Sequence, residues 1–188
     1  MEDFEEKKED LRTKRTKKFL SSALIELLRT TPLEKISIQD ICEKAMIHRT
    51  TFYTHFGDKY DLFEYVLNQT RDRIFARPIL EHNYDSLEEL YSTLTKTAID
   101  FVEKNKSVLI SVLETNTDRL TSDLIYSTME STIRQLLEKN NPTGIPNHLL
   151  SNFLTGGFIS LATWWLHNPN KITKQDLLKS INKLISSI

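Results

Sequence analysis

The sequence predicts an all-α protein. Apolar residues recur at helical spacing along nearly the whole chain, no segment sustains the alternation of a β-strand, and the breaks fall at Pro, Gly and Asn. These observations resolve about nine helices. Composition agrees: 39% hydrophobic and 27% charged residues are ordinary for a globular chain, and 188 residues suffice to bury a core without staples. A single cysteine excludes a disulfide framework and a multi-cysteine zinc site. The longest nearly uncharged apolar run, Phe153–Leu166, falls short of the roughly 20 residues of a membrane span. The opening MEDFEEKKED lacks the basic start of a signal peptide, so the expected setting is a reducing cytoplasm, with no membrane partner.

The first helix is expected from about Leu11 to Thr30, where Leu20, Ala23, Leu24, Leu27 and Leu28 form one stripe. Pro32 stops it. Ser37 suits the N-cap of a short second helix, and Asp40, three residues on, completes the cap and favours the positive helix start. Ile38, Ile41, Cys42 and Ala45 share its apolar face. After a break at Met46-Ile47, a third helix reads His48–His55, with Phe52 and Phe56 apolar. Gly57 suits its C′ position and Asp58 the next N-cap. The fourth helix starts at Lys59 and turns Leu62, Phe63, Val66 and Leu67 inward.

Longer helices follow at about Ser86–Lys104, Lys106–Glu114 and Asp118–Lys139. Asn140-Asn141-Pro142-Thr143-Gly144 is the clearest loop. Pro146 suits the first turn of a helix ending near His167. Thr173 caps the last one, which carries Leu177, Leu178, Ile181, Leu184 and Ile185.

Charge is unevenly distributed. Residues 1–10 set six acids against Lys7 and Lys8, a net −4; residues 11–60 set ten Lys/Arg against five acids, a net +5. A basic first third on an acidic body fits contact with a polyanion, or equally a solvated helix face.

Within that basic third, Ser37–Lys44 and His48–His55 are two short helices joined by a tight turn. This is the spacing of a helix-turn-helix, whose second helix enters the major groove of double-stranded DNA. The exposed candidates for base contact are His48, Arg49, Thr50, Thr51 and Thr54. Arg49 can bridge two acceptors on guanine, and a threonine can meet a thymine methyl. Tyr53, His55 and Lys59 stand where groups can grip phosphate.

Positions 16–67 resemble the N-terminal domain of TetR/AcrR-type transcriptional regulators. The likeness rests on SIQDICEKAMIHRTTFYTHFGDKYDLFEYVL: Ser37, Ile41-Cys42, Thr51-Phe52-Tyr53-Thr54-His55-Phe56, Lys59 and Leu62 fall at the family's fixed spacing. The resemblance implies DNA contact at Ser37, Arg49, Thr50, Thr51, Tyr53, His55 and Lys59. Two departures stand out. Met46 occupies the turn where the family usually has Gly, and left-handed backbone there costs roughly 1–2 kcal/mol. His48 replaces a frequent Ser and is the weaker cap. Cys42 takes the family's small apolar position.

The resemblance divides the chain into a three-helix DNA-binding domain, 11–58, and a larger helical domain for effector binding and dimerisation, 59–188. Phe153-Leu154-Thr155-Gly156-Gly157-Phe158 and Trp164-Trp165-Leu166 resemble a Firmicutes-type subgroup that includes regulators of dihydroxyacetone-kinase operons. Gly156-Gly157 inside a helix costs about 1 kcal/mol per residue relative to Ala, which close packing can offset. With Trp164 and Trp165 they form a candidate dimer surface, the alternative being burial inside the monomer. Candidate lining for an unknown small-molecule effector comprises Phe63, Leu67, Phe101, Leu109, Leu113, Tyr126 and Met129, which are equally core residues. Thr97 and Asn116 could orient such a ligand or bond to backbone.

No metal or other cofactor is expected, since Cys42 stands alone and His82, His148 and His167 are scattered. GxSxG, HExxH, Walker A and GxGxxG are all absent, so the inventory offers no enzyme. The expected function is a one-component transcriptional regulator, a repressor that binds a near-palindromic operator as a homodimer and is released by an effector. The alternative is a coregulator acting mainly through a partner protein.

Overall fold

A computed structural model describes residues 11–76, 87–113, 119–139, 141 and 143–185. The described residues form nine α-helices and contain no strand. The helices are α1 (Leu11–Leu27), α2 (Ile38–Ala45), α3 (Arg49–His55), α4 (Lys59–Arg71), α5 (Leu87–Lys104), α6 (Lys106–Leu113), α7 (Arg119–Lys139), α8 (Asn147–His167) and α9 (Lys174–Ile185). His82, Ser86, Glu114, Asn116, Asp118, Asn140 and Pro142 lie outside the described residues, as does the side chain of Leu113.

Local chemistry sets most boundaries. The α1 stripe buries Leu20, Ala23 and Leu24, but the helix ends at Leu27, three residues early. Thr31 precedes Pro32, whose ring disfavours helical backbone in the residue before it. The Thr30 and Thr31 N–H groups turn back to the Leu27 carbonyl at 3.2 and 3.0 Å. Pro32 then leads a single 3-10 turn, Leu33–Lys35, that the sequence did not announce. Leu33, which opens the turn, and Ile36, which follows it, are buried. Beyond Arg71, α4 widens into a π-helical turn, Asp72–Ala76.

The expected caps form. Asp58 accepts from the Tyr60 and Asp61 N–H groups at the start of α4. Thr173 Oγ1 accepts from the Asp176 N–H at 3.1 Å at the start of α9. In the loop before α8, Asn141 Oδ1 accepts from the N–H and hydroxyl of Thr143 at 3.1 and 2.7 Å, and Gly144 takes a positive φ of 72°. Pro146 is the residue just ahead of α8, and its carbonyl accepts from Leu149 and Leu150.

Two apolar clusters hold the helices. The first joins Leu20 and Leu24 of α1, Ile41 and Cys42 of α2, Phe52 of α3 and Phe63 and Val66 of α4. It continues through Val112 of α6, with Leu124 and Ile125 of α7 packed against it. The helix-turn-helix therefore shares one core with the helices that follow. The second cluster joins Ile99 and Val102 of α5, Ala162, Trp165 and Leu166 of α8, and Leu177 and Ile181 of α9.

Polar links fasten the later helices to one another. The Tyr126 hydroxyl of α7 reaches Asn152 Oδ1 of α8 at 2.9 Å, and Ser151 donates to Glu130 at 2.6 Å. Lys174 of α9 pairs with Asp100 and Glu103 of α5 at 2.7 and 2.5 Å. The lysine hydrogen bond holds the Asp100 carboxyl below its ordinary range. Helix α8 extends the apolar run to 21 residues, long and apolar enough to cross a membrane by composition alone. Here it lays Leu150, Ser151, Thr155, Ala162, Trp165 and Leu166 into the protein interior instead.

Candidate nucleic-acid interface

The helix-turn-helix is built from short-range bonds. At the start of α2, Ser37 and Asp40 form a reciprocal capping box. At its end, Met46 adopts left-handed backbone, φ 54° and ψ 43°, as its place in the turn required. The Ile47 N–H then closes onto the Cys42 carbonyl at 2.9 Å. His48 is the N-cap of α3: its backbone is extended, with φ −66° and ψ 144°, so α3 begins at Arg49 rather than His48, and its side chain makes no capping bond. The His48 carbonyl accepts from Thr51 and Phe52 at 2.9 and 3.1 Å.

Helix α3 has one inward face. Phe52 is fully buried and meets the Phe56 ring with centroids 5.8 Å apart. Phe56 in turn meets Tyr65 of α4 at 5.5 Å. Burial of such aromatic side chains is worth about 1.5–3 kcal/mol each, more than a seven-residue helix can supply by itself. Packing on one side fixes which residues stand on the other. His48, Arg49, Thr50, Tyr53 and Thr54 are exposed together, while Thr51 and His55 are half-buried at the flanks.

The exposed face is partly organised. The Arg49 Nη2 donates to the Tyr53 hydroxyl at 3.5 Å, one helical turn away, and this contact holds the guanidinium above its ordinary pKa. Thr54 Oγ1 donates to the Thr50 carbonyl at 3.0 Å. An arginine flanked by threonine and tyrosine offers a donor fork, methyls and a hydroxyl, the set that base edges and phosphates accept. Met46 is 93% exposed beside this face and shares a depression with Gln39, Cys42, Glu43, Ile47, His48 and Arg49.

Other expected positions have different surroundings. Ser37 is exposed, but its hydroxyl is engaged with Asp40, accepting at 3.1 Å and donating at 2.7 Å. Lys59 turns back onto the chain. Its ammonium donates to the carbonyls of Leu33, Glu34 and Ile36 at 2.9, 2.7 and 3.0 Å. The sequence carried no signal for this, because the acceptors are backbone groups of an unannounced turn. Cys42 is a core residue, and burial raises its thiol pKa despite the nearby Arg49.

The candidate effector lining is spread between the two clusters. Phe63 is buried in the first, with Leu67 packed against it, whereas Leu109 packs against the second. Phe101 and Met129 are half-buried, and Tyr126 spends its hydroxyl on Asn152.

The candidate dimer surface needs one correction. Trp165 is buried in the second cluster, packed inside the monomer. Trp164, next to it on the helix, is 42% exposed. Gly156 and Gly157 are also exposed, and a Cβ at either would meet nothing within 4 Å. Sequence reasoning missed Leu149 and Phe153, which are 56% and 67% exposed. Leu149, Phe153, Gly156, Ser160 and Trp164 recur at three- and four-residue intervals, so they lie along one face of α8.

Residues 20–66 match the family model described as bacterial regulatory proteins, tetR family. Residues 88–187 match the model described as transcriptional regulator C-terminal region. The TetC protein of transposon Tn10 from Escherichia coli is 22% identical over 140 residues, 69% of this chain and 69% of that protein. The TetR transcriptional regulator of Streptococcus agalactiae is 27% identical, with a TM-score of 0.61 over 92% of this chain and 94% of that one. The Lin0861 protein of Listeria innocua shares the fold at 19% identity, with a TM-score of 0.72 over 95% and 93% of the two chains.

Proposed function

The chain belongs to the TetR family of transcriptional regulators, and from that premise we propose that it is a repressor that binds a near-palindromic operator as a homodimer. The observation that carries this reading is the face of α3. Arg49, Thr50, Tyr53 and Thr54 stand together on a helix whose opposite side is locked by Phe52. Residues 11–58 read the DNA, with Arg49 and Thr50 on base edges and Tyr53 on the backbone. Residues 59–188 dimerise and sense.

Pairing is supported by the α8 face. Leu149, Phe153 and Trp164 are large exposed apolar residues in line with two glycines that no neighbour in the monomer requires. Two subunits joined there present two copies of α3 to successive major grooves, about 34–36 Å apart or a multiple of this. An apolar or amphipathic organic effector, bound between Lys59 and Asn140, favours a form with the wrong separation of the two α3 helices. Its differential affinity for the two forms sets the size of the shift. The closer likeness to the subgroup with dihydroxyacetone-kinase regulators rests on Phe153–Phe158 and Trp164–Leu166 alone. Operator binding places the protein in the cytoplasm.

The test is selection of bound duplexes from a random pool by the purified chain, followed by footprinting. The expected result is one enriched sequence with two related half-sites. Failure to enrich any sequence, with the chain folded and dimeric, overturns the reading.

A further inference from the structure

Lys59 opens α4, yet its half-buried side chain turns back toward the chain that precedes α2. The ammonium donates to Leu33 O at 2.9 Å, Glu34 O at 2.7 Å and Ile36 O at 3.0 Å. An ammonium carries three donors, and three carbonyls converge on it. Leu33 and Glu34 belong to the 3-10 turn, and Ile36 closes it, immediately before the Ser37 cap. The Leu33 carbonyl also accepts from the Ile36 N–H at 3.1 Å, closing the turn, and bonds to a charged donor are stronger than neutral ones. The Leu33 and Ile36 side chains are each 2% exposed, so this backbone is held against the core.

One side chain thus joins the entry of α4 to the entry of α2, across 23 to 26 residues. Everything between those points is the helix-turn-helix. Helix α3 is seven residues long and is too short to hold a pose unaided. The segment that carries it is bounded by the capping box of α2 at Ser37 and the cap of α4 at Asp58, and Lys59 ties those two points to each other.

We propose that Lys59 is a positioning residue for DNA reading: it fixes the entry of α4 against the entry of α2 and so sets the pose of α3. This rests on the reading that α3 binds DNA. It assigns the lysine to the protein's own backbone and not to a phosphate.

The test compares the full chain with Lys59→Met, which keeps the stem and removes the donors. Binding to the selected operator and to random duplex is measured across a salt series, and amide exchange is followed at Ile36, Asp40 and Ile41. The expected result is an operator affinity lower by about tenfold or more, with random-duplex affinity and salt slope unchanged. Exchange at the three amides quickens by a similar factor. An equal loss on both duplexes with a slope about one unit shallower identifies a phosphate contact and overturns the proposal. So does a variant indistinguishable from the parent.

If Lys59→Met does not fold, Lys59→Arg takes its place. Its charge still serves a phosphate, but its planar fork cannot meet three convergent carbonyls. Retained operator affinity in that variant overturns the positioning role, and selective loss supports it. If the parent chain binds no DNA, the reading of α3 fails, and the clamp is judged on exchange alone.

Discussion

Ser37 and Asp40 satisfy each other across the first turn of α2. The Ser37 N–H donates to Asp40 Oδ2 at 2.8 Å, and the Asp40 N–H donates to Ser37 Oγ at 3.1 Å. The serine hydroxyl donates a hydrogen bond to the same carboxylate oxygen at 2.7 Å. These bonds, the hydroxyl's first, hold the Asp40 carboxyl below its ordinary value of 3.8. A carboxyl lowered in the folded state stabilises fully above its unfolded pKa, and that contribution is lost as pH falls through the lower folded value. The cap should therefore be intact at neutral pH and fail only below about pH 4. Ser37→Ala should cost about 0.5–2 kcal/mol at pH 7, and Asp40→Asn should flatten the acid limb of the stability curve. Urea unfolding at pH 7 and across pH 2–5 checks both. An unchanged acid limb in Asp40→Asn would show that other carboxylates govern it.

Met46 carries backbone strain in a place where its side chain returns nothing visible to the core. Its φ is 54° and its side chain is 93% exposed. Left-handed backbone costs a residue with a Cβ roughly 1–2 kcal/mol, against about 0.5–1 kcal/mol of extra entropy that glycine loses on folding. Met46→Gly should thus stabilise by up to about 1.5 kcal/mol, raising the melting midpoint by a few degrees. Calorimetry checks it, and a lower midpoint would mean that Met46 makes contacts worth more than its strain.

The features legible in the sequence are those decided within four residues. The caps at Ser37, Asp58 and Thr173 form as their side chains demand, because donor and acceptor are neighbours in the chain. The stripe Leu20-Ala23-Leu24 is buried because helical spacing alone puts it on one side. Lys59 was not legible, since its acceptors lie 23 to 26 residues away on a turn created by Pro32. Nor was the choice between Trp164 and Trp165. Adjacent residues point about 100° apart on a helix, and α8 is apolar nearly all round, so periodicity could not say which tryptophan faces the core. The effector lining was least legible, because core and pocket residues share one chemistry. Phe63 and Leu109 belong to different clusters.

Arg49 is the strongest candidate for base discrimination. It is exposed at the start of α3, and the Tyr53 hydroxyl 3.5 Å away steadies it. A bidentate contact to guanine is worth about 1–3 kcal/mol against the wrong base. Arg49→Ala should lose that much on the selected operator and little on random duplex, with relaxed preference at one base pair of each half-site. Tyr53→Phe, which removes a hydroxyl assigned to the DNA backbone, should lose less and lose it on operator and random duplex alike. Competition binding against single-base operator variants reads both, and an equal loss on every duplex would place Arg49 on the phosphates.

Gly156 distinguishes a monomer surface from an interface by the sign of one substitution. In the monomer the position is exposed, and a Cβ there would meet nothing within 4 Å. Helix propensity alone then favours any ordinary residue over glycine by several tenths to about 1 kcal/mol. Gly156→Leu should therefore leave the separate chain folded and no less helical. Across a close helix–helix contact the same leucine has no room, and Leu149, Phe153 and Trp164 would lose their seat on the partner. The expected sedimenting mass at micromolar concentration is twice the chain mass of 22.0 kDa for the parent and 22.0 kDa for Gly156→Leu. Operator affinity should fall with it, since a single α3 reads only one half-site. A Gly156→Leu chain that stays dimeric would move the interface off this face of α8.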